Sequence, residues 1–231
     1  MEATVTLPRR FCGPDDCANG GYTAGTLARY LDGTVEATLR RPAPLDRPLV
    51  VDEEPGRVVL RDGEELIAEA AASRLDLDPV PAVDLEVATA ASRASADRDP
   101  ATHPFPRCFV CGPARRPGEG LRLFTGRVPG TDHFATAWVP DAVDDVLVWA
   151  ALDCPSSAVL HLLEDRPPPH VLGRITARID RRPEPGRPHV ITSWLVGRDD
   201  RKVFAAAALY DPDGRLCAAA RATWIRLAAA S

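Results

Sequence analysis

Apolar and polar residues alternate with a period of two in several short stretches of the first third of the chain, and this period is typical of half-buried β-strands. Between the first two of these stretches, apolar residues recur at helical spacing over 20–31, and Asn19 stands where an N-cap residue is favoured. The pattern therefore predicts a strand, a helix and then four antiparallel strands. The predicted strands cover residues 2–7, 35–39, 49–52, 57–61 and 65–71.

The second half of the chain predicts the same plan with longer loops. Residues 146–164 are apolar on every side of a helix, which indicates a helix that is buried all round. Residues 74–106 are rich in turns and proline, with a short helix predicted over 84–93, and we interpret them as a linker between two halves, 1–73 and 107–231. The strands predicted in the second half cover residues 121–127, 132–140, 171–180, 189–196, 203–210 and 216–227.

Two similar segments indicate that this shared plan comes from an internal duplication. The motif Arg-Arg-Pro-x-Pro occurs at 40–44 and again at 181–185, and each copy is soon followed by Arg-Pro. Gly56 and Gly197 then lie at matching distances after the two motifs, and each precedes an arginine. Order, spacing and predicted context agree, as expected of a duplicated unit.

One carboxylate, that of Asp153, interrupts the apolar helix predicted over 146–164. Burial of an ionisable group is costly unless the group is paired or neutralised, so its presence there indicates a functional site. Pro155 lacks an N–H and is expected to kink the helix, and the hydroxyls of Ser156 and Ser157 follow within the same turn. An alternative interpretation is that the helix starts near Asp153, with this residue as its N-cap.

Charge and composition narrow the classes of function. The chain of 231 residues has a formal net charge of -5, and its basic residues, all arginine except Lys202, are interspersed with acids. No basic face is expected, which argues against a nucleic-acid partner. The apolar runs are too short to span a bilayer and the N-terminal residues do not resemble a signal peptide. We therefore expect a cytoplasmic protein with no membrane association, in which the six cysteines are reduced.

A family resemblance is spread over 19–27, 41–49, 108–113, 120–123 and 151–153. The segment 19–27 resembles the Gly-Gly helix start in the first half of the acyl-CoA thioesterases with a double hotdog fold, and 41–49 resembles the strand and turn that follow it there. In the second half, 108–113 with 120–123 resembles the start of many uncharacterised members of the phenylacetate-pathway-type thioesterase group. Asp153 falls where those proteins carry an Ala-Asp in the central helix. The resemblance implies an α+β tandem (double) hotdog fold, with two antiparallel sheets each wrapping a central helix.

The resemblance also implies hydrolysis of a small or medium acyl-CoA, or a similar thioester, by a homodimer without a cofactor. Asp153 would act as general base or nucleophile, because the reaction needs an activated water or direct attack by a carboxylate. The carbonyl oxygen must be polarised as it gains charge, and backbone N–H groups at a helix start can do this. Gly20 and Gly21 suit that role, with Asn19 as the cap or as a substrate donor.

The chain departs from the family at two active-site positions. The double hotdog thioesterases are known for an Asp, a Thr and a Gln, and the last predicted strand, 216–227, contains no Gln. Thr176 is a loose candidate for the Thr, and Ser156 or Ser157 could orient a water. These departures keep open a non-catalytic protein that binds an acyl or aromatic ligand. A hotdog hydratase is less favoured, because the chain has no Asp-x4-His at a helix start.

The cysteines allow a second kind of site. Cys108 and Cys111 form half of a zinc-knuckle pattern, and Cys12 with Cys17 offers another pair. One interpretation is a structural zinc ion between the two halves. The other is a tight turn with reduced thiols and no metal.

Overall fold

The computed structural model describes residues 3–228, so Glu2, in the first predicted strand, lies outside the described residues. The predicted elements are present within about three residues of their predicted bounds, with one exception, when the 3-10 turn Ala158–Leu162 is counted with the helix predicted over 146–164. The helices are α1 (Gly20–Ala28), α2 (Leu85–Arg93) and α3 (Asp145–Ser157). The strands are β1 (Ala3–Thr6), β2 (Val35–Leu39), β3 (Pro48–Glu54), β4 (Arg57–Asp62), β5 (Glu65–Ala72), β6 (Gly126–Arg127), β7 (His133–Trp138), β8 (His170–Ile179), β9 (His189–Asp199), β10 (Lys202–Tyr210) and β11 (Leu216–Arg226).

The exception is the strand predicted at 121–127, of which only the two residues of β6 are observed. The backbone N–H groups of Leu121 and Leu123 donate instead to the carbonyls of Phe109 and Val110, each at 2.8 Å. This stretch is therefore tied to a loop rather than to a neighbouring strand.

The eleven strands form one antiparallel sheet in the order β1-β3-β4-β5-β2-β8-β11-β10-β9-β7-β6. This corrects the expectation of two sheets. The halves join because β2 pairs with β8, from Val35 opposite Ala177 to Thr38 opposite Arg174. The order is symmetric about this pair, since β5, β4, β3 and β1 on one side correspond to β11, β10, β9 and β7 on the other. An internal duplication produces such a symmetry.

The helices α1 and α3 pack against the sheet and against each other. α1 contacts β2, β4, β5 and β8, whereas α3 contacts β7 to β11. Within residues 3–228, no helix is long and apolar enough to cross a membrane.

The position at which α3 begins rules out the alternative interpretation, in which the helix starts near Asp153. The helix begins at Asp145, and its N-cap Asp144 accepts a hydrogen bond from the N–H of Leu147 at 2.8 Å. Asp153 therefore lies well inside the helix and not at its start. The α-helix ends two residues after Pro155 and continues as a 3-10 turn, so the proline marks a change of helix type.

Gly21 and Gly25, one turn apart on α1, let the two helices approach each other closely. A methyl group at Gly25 would lie 2.8 Å from the Cβ of Trp149 and 2.9 Å from the Cα of Val146. At Gly21 it would collide with the Cβ of Asp153. Carbon atoms in contact prefer separations of about 3.5–4.0 Å, so only glycine fits here without moving a helix.

We expect Gly25→Ala to destabilise the protein. Replacing a helical glycine by alanine gains about 1 kcal/mol of helix propensity. Overpacking a core costs about 1–3 kcal/mol, and a cost near the upper end is expected because the obstructing atoms are a Cα and a Cβ that cannot swing aside. Urea unfolding should therefore show that the free energy of unfolding is lower than that of the wild type by roughly 1–2 kcal/mol.

Gly197→Ala is the control, because its added Cβ would meet only the ring of Phe204 at 3.8 Å, an ordinary contact. This variant should lose no stability. Equal stability of Gly25→Ala and wild type would contradict the close approach of the helices.

Candidate active site

Asp153 lies on α3 and reaches the N-terminus of α1, where it is 1% exposed. Its Oδ2 accepts hydrogen bonds from the backbone N–H of Gly21 (2.8 Å) and from the side-chain amide of Asn19 (2.9 Å). Its Oδ1 has no hydrogen-bond partner among residues 3–228. The carboxylate is therefore held at one oxygen, whereas the other oxygen is buried and has no partner among these residues.

The amide of Asn19 is oriented by its role as the N-cap of α1. Its Oδ1 accepts a hydrogen bond from the N–H of Tyr22 at 2.9 Å, so its Nδ2 must point to the opposite side, toward Asp153. The backbone N–H of Asn19 donates to the carbonyl of Phe11 at 2.8 Å, which fixes the residue to the preceding turn. Of the two roles considered from the sequence, the cap is the one that this geometry fits.

Burial raises the pKa of Asp153 to about 7, against the hydrogen bonds from Gly21 and Asn19, which lower it. Desolvation disfavours the charged carboxylate, whereas the positive end of the α1 dipole favours it. The group therefore stands near the balance between its two protonation states at neutral pH.

A cavity of about 840 Å³ opens beside this carboxylate. Its volume falls within the roughly 300–1,000 Å³ of small-molecule sites. The N–H of Gly20 makes no hydrogen bond within the described part of the chain, whereas that of Gly21 is engaged by Asp153. The lining includes Asn19, Gly20, Leu39, Asp153, Leu160 and Leu172.

The two predicted serines lie in different places. Ser157 lines the cavity, and its hydroxyl donates to the carbonyl of Cys154 at 2.8 Å. Ser156 is completely buried, donates to the carbonyl of Asp153 at 2.7 Å and accepts from Trp224 Nε1 at 2.9 Å. The structure therefore leaves only Ser157 in a position to contact a water in the cavity.

Thr176 lies outside the site. Its hydroxyl donates to Oε2 of Glu36 at 2.9 Å across the β2–β8 pair. Glu36 also pairs with the half-exposed Arg174, so all three side chains lie on one face of the sheet. Because side chains alternate along a strand, this is the face opposite to that of the core residue Ile175. The expectation of a substrate contact at Thr176 is corrected accordingly.

Three histidines that sequence reasoning did not place at the site also line the cavity, namely His103, His161 and His170. Nε2 of His161 lies 3.5 Å from Oδ1 of Asp97, and this contact raises the pKa of the histidine. His103 is buried, which lowers its pKa, and its Nδ1 accepts from the N–H of Phe105 at 3.0 Å. Asp97 and His103 belong to the segment predicted as a linker, which therefore forms part of the cavity wall.

The four cysteines considered for zinc do not come together. Instead, the sulfurs of Cys108, Cys111 and Cys154 lie within 4.8 Å of one another, and Cys12 and Cys17 stay outside this group. Hydrogen bonds with the Cys111 and Cys154 thiols lower the pKa of the Cys108 thiol. The contribution of Cys154 could not be found from spacing, because it comes from α3.

No family model and no curated protein matches this chain in sequence. Solved structures do match. A conserved protein with a hot dog fold from Alicyclobacillus acidocaldarius aligns over 99% of this chain and 94% of its own, with a TM-score of 0.65 and 13% identity. The acyl-CoA thioesterase II TesB2 from Mycobacterium marinum aligns over 99% and 94%, with a TM-score of 0.58 and 13% identity. The dehydratase domain of a mycocerosic acid synthase-like PKS aligns over 98% and 90%, with a TM-score of 0.62 and 13% identity. This chain therefore has the hot dog fold, and its structure resembles those of thioesterases with that fold.

We expect Asn19→Ala to destabilise the protein by roughly 2–5 kcal/mol. It removes an N-cap worth about 0.5–2 kcal/mol and a hydrogen bond to a carboxylate worth about 1.5–3 kcal/mol. Asp84→Ala is the matched control, because Asp84 occupies the N-cap position of α2 but makes no capping hydrogen bond. Urea unfolding should separate the two variants, and equal losses would contradict the role of Asn19.

Proposed function

We propose that this chain is a tandem hot dog thioesterase that hydrolyses a small or medium acyl-CoA or a similar thioester. The observation that carries the proposal is the carboxylate of Asp153, anchored at Oδ2 by Gly21 and Asn19 and without a partner at Oδ1 among residues 3–228. The cavity and the N–H of Gly20 lie at the same helix start. A base, a donor for the carbonyl oxygen and room for a substrate are thus combined in one place.

In the proposed reaction, the thioester oxygen accepts a hydrogen bond from the N–H of Gly20, where the positive end of α1 stabilises the developing negative charge. Oδ1 of Asp153 takes a proton from a water whose oxygen attacks the carbonyl carbon. The C–S bond then breaks, and the proton passes from Asp153 to the leaving thiolate, giving a carboxylic acid and free CoA. Direct attack by Oδ1 would give the same products through a mixed anhydride that water hydrolyses.

Gly21 and Asn19 have positioning roles in this scheme. Their two hydrogen bonds to Oδ2 restrict rotation of the Asp153 carboxylate and keep Oδ1 available. The polarising role that the sequence assigned to both glycines is therefore given to Gly20 alone.

Several features support an acyl thioester as the substrate. Leu39, Leu160 and Leu172 give the cavity apolar walls suited to an acyl chain. A structural neighbour is an acyl-CoA thioesterase, although another is a dehydratase domain, so the fold alone does not select the reaction. One chain supplies both α1 and α3, so the homodimer expected from the sequence is not needed to complete the site.

Release of CoA from a panel of acyl-CoAs, measured for wild type and Asp153→Asn, tests the proposal. Loss of a general base should lower turnover at least roughly a hundredfold. Asp145→Asn is the matched control, because Asp145 lies on the same helix but outside the cavity lining and pairs with Arg182 at 2.6 Å. This variant should keep wild-type turnover.

Three other outcomes of this experiment would contradict all or part of the proposal. Turnover that survives in Asp153→Asn would keep the enzyme but discard the assigned site. Binding of acyl-CoA by the wild type without any turnover would favour the non-catalytic ligand-binding protein. Consumption of an enoyl-CoA double bond without release of CoA would indicate hydration.

A further inference from the structure

Three thiols in the cavity wall are arranged like a set of metal ligands. The sulfurs of Cys108, Cys111 and Cys154 lie within 4.8 Å of one another, and those of Cys108 and Cys154 are 3.7 Å apart. Zinc binds thiolate sulfur at about 2.3 Å in tetrahedral geometry, which places two sulfurs about 3.8 Å apart. One pair therefore already has about the required separation, and the other sulfur–sulfur distances, at most 4.8 Å, exceed it by no more than about 1 Å.

The turn that carries Cys108 and Cys111 is closed by a backbone hydrogen bond. The N–H of Gly112 donates to the Cys108 carbonyl at 2.9 Å. This turn requires glycine at 112, because an added Cβ would lie 2.6 Å from the Cys108 nitrogen. The turn therefore keeps Cys108 and Cys111 close together.

The third thiol reaches this turn from α3. The side-chain amide of Asn19 lies 3.6 Å from the sulfur of Cys154 and 4.0 Å from that of Cys108, so it is an N–H donor to the set, as the outer-shell partners of metal ligands are. All three cysteines line the cavity, and a fourth coordination position would therefore face open space. The set thus combines residues from a loop and a helix that are distant in the sequence.

We propose that Cys108, Cys111 and Cys154 bind one thiophilic divalent cation, represented by Zn²⁺, with a fourth coordination position open to the cavity. Three thiolate ligands select such ions over Mg²⁺ and Ca²⁺, which prefer oxygen. Binding releases the three thiol protons, and the ion with its three thiolates carries a net charge of minus one. The ion ties the loop at 108–112 to α3 and so fixes this part of the cavity wall.

Co²⁺ binding to the full chain, reduced and freed of metal under anaerobic conditions, tests this site. Thiolate-to-cobalt charge-transfer absorption reports sulfur ligation directly. One Co²⁺ per chain should bind and be displaced by Zn²⁺, and Zn²⁺ should protect Cys108, Cys111 and Cys154 from alkylation but not Cys12 and Cys17. Absence of these bands, or a Kd for Zn²⁺ weaker than about 1 μM, would overturn the proposal.

Variants locate the ligands. Cys154→Ala should weaken Co²⁺ binding by more than the roughly hundredfold that loss of an outer-shell partner costs. The double variant Cys12→Ala, Cys17→Ala is the matched control and should bind like wild type, because both cysteines lie outside the cluster. Wild-type affinity in Cys154→Ala, or loss of binding in the control, would contradict the assignment.

Circular dichroism of the metal-free proteins shows whether each variant folds. If Cys154→Ala does not fold, the alkylation pattern of the wild type decides the question. The readout is metal binding, so the outcome is independent of whether the chain hydrolyses thioesters.

Discussion

The close approach of α1 and α3 is the constraint on which the rest of the structure depends. No Cβ fits between the helices at Gly21 and Gly25. Only at this separation does the carboxylate of Asp153 reach the backbone N–H at the start of α1. The two helices come from different halves of the chain, so their contact acts together with the β2–β8 pair to hold the halves in register. Larger side chains would bury more apolar area but would move the carboxylate away from its donors.

The buried carboxylate of Asp153 destabilises the fold but provides a group that can react. Desolvation penalises the charge of Asp153, and the hydrogen bonds from Gly21 and Asn19 satisfy only Oδ2. An unsatisfied buried oxygen such as Oδ1 lowers the free energy of unfolding by about 1–3 kcal/mol. Packing alone gives no reason to retain such an oxygen. The same features that make this group unfavourable, its burial and its unsatisfied oxygen, are those that a general base or nucleophile needs.

The side chains able to take part in a reaction are gathered in the wall of the cavity. Proteins with the same fold include a thioesterase and a dehydratase domain. In this chain the wall combines a carboxylate at Asp153, a carboxylate–imidazole pair at Asp97 and His161, and three adjacent thiols. These groups come from α3 and the 3-10 turn that follows it, from the segment between the halves and from the loop at 108–112, so this wall forms only when all of these parts are in place.

Patterns along the chain predict the α-helices and strands correctly, except for most of the strand predicted at 121–127, and they single out Asp153 and Asn19. Periodicity identifies a strand or helix locally, and a carboxylate in an apolar helix or an Asn-Gly-Gly helix start stands out without knowledge of the fold. Only the tertiary structure decided that the strands form one sheet, and that Thr176 faces Glu36, 140 residues away, on the side opposite to the core. It also brought Cys154, and neither Cys12 nor Cys17, to Cys108 and Cys111. The physical reason is that contacts between distant elements depend on strand register and on how closely helices approach, and neither leaves a local pattern in the chain.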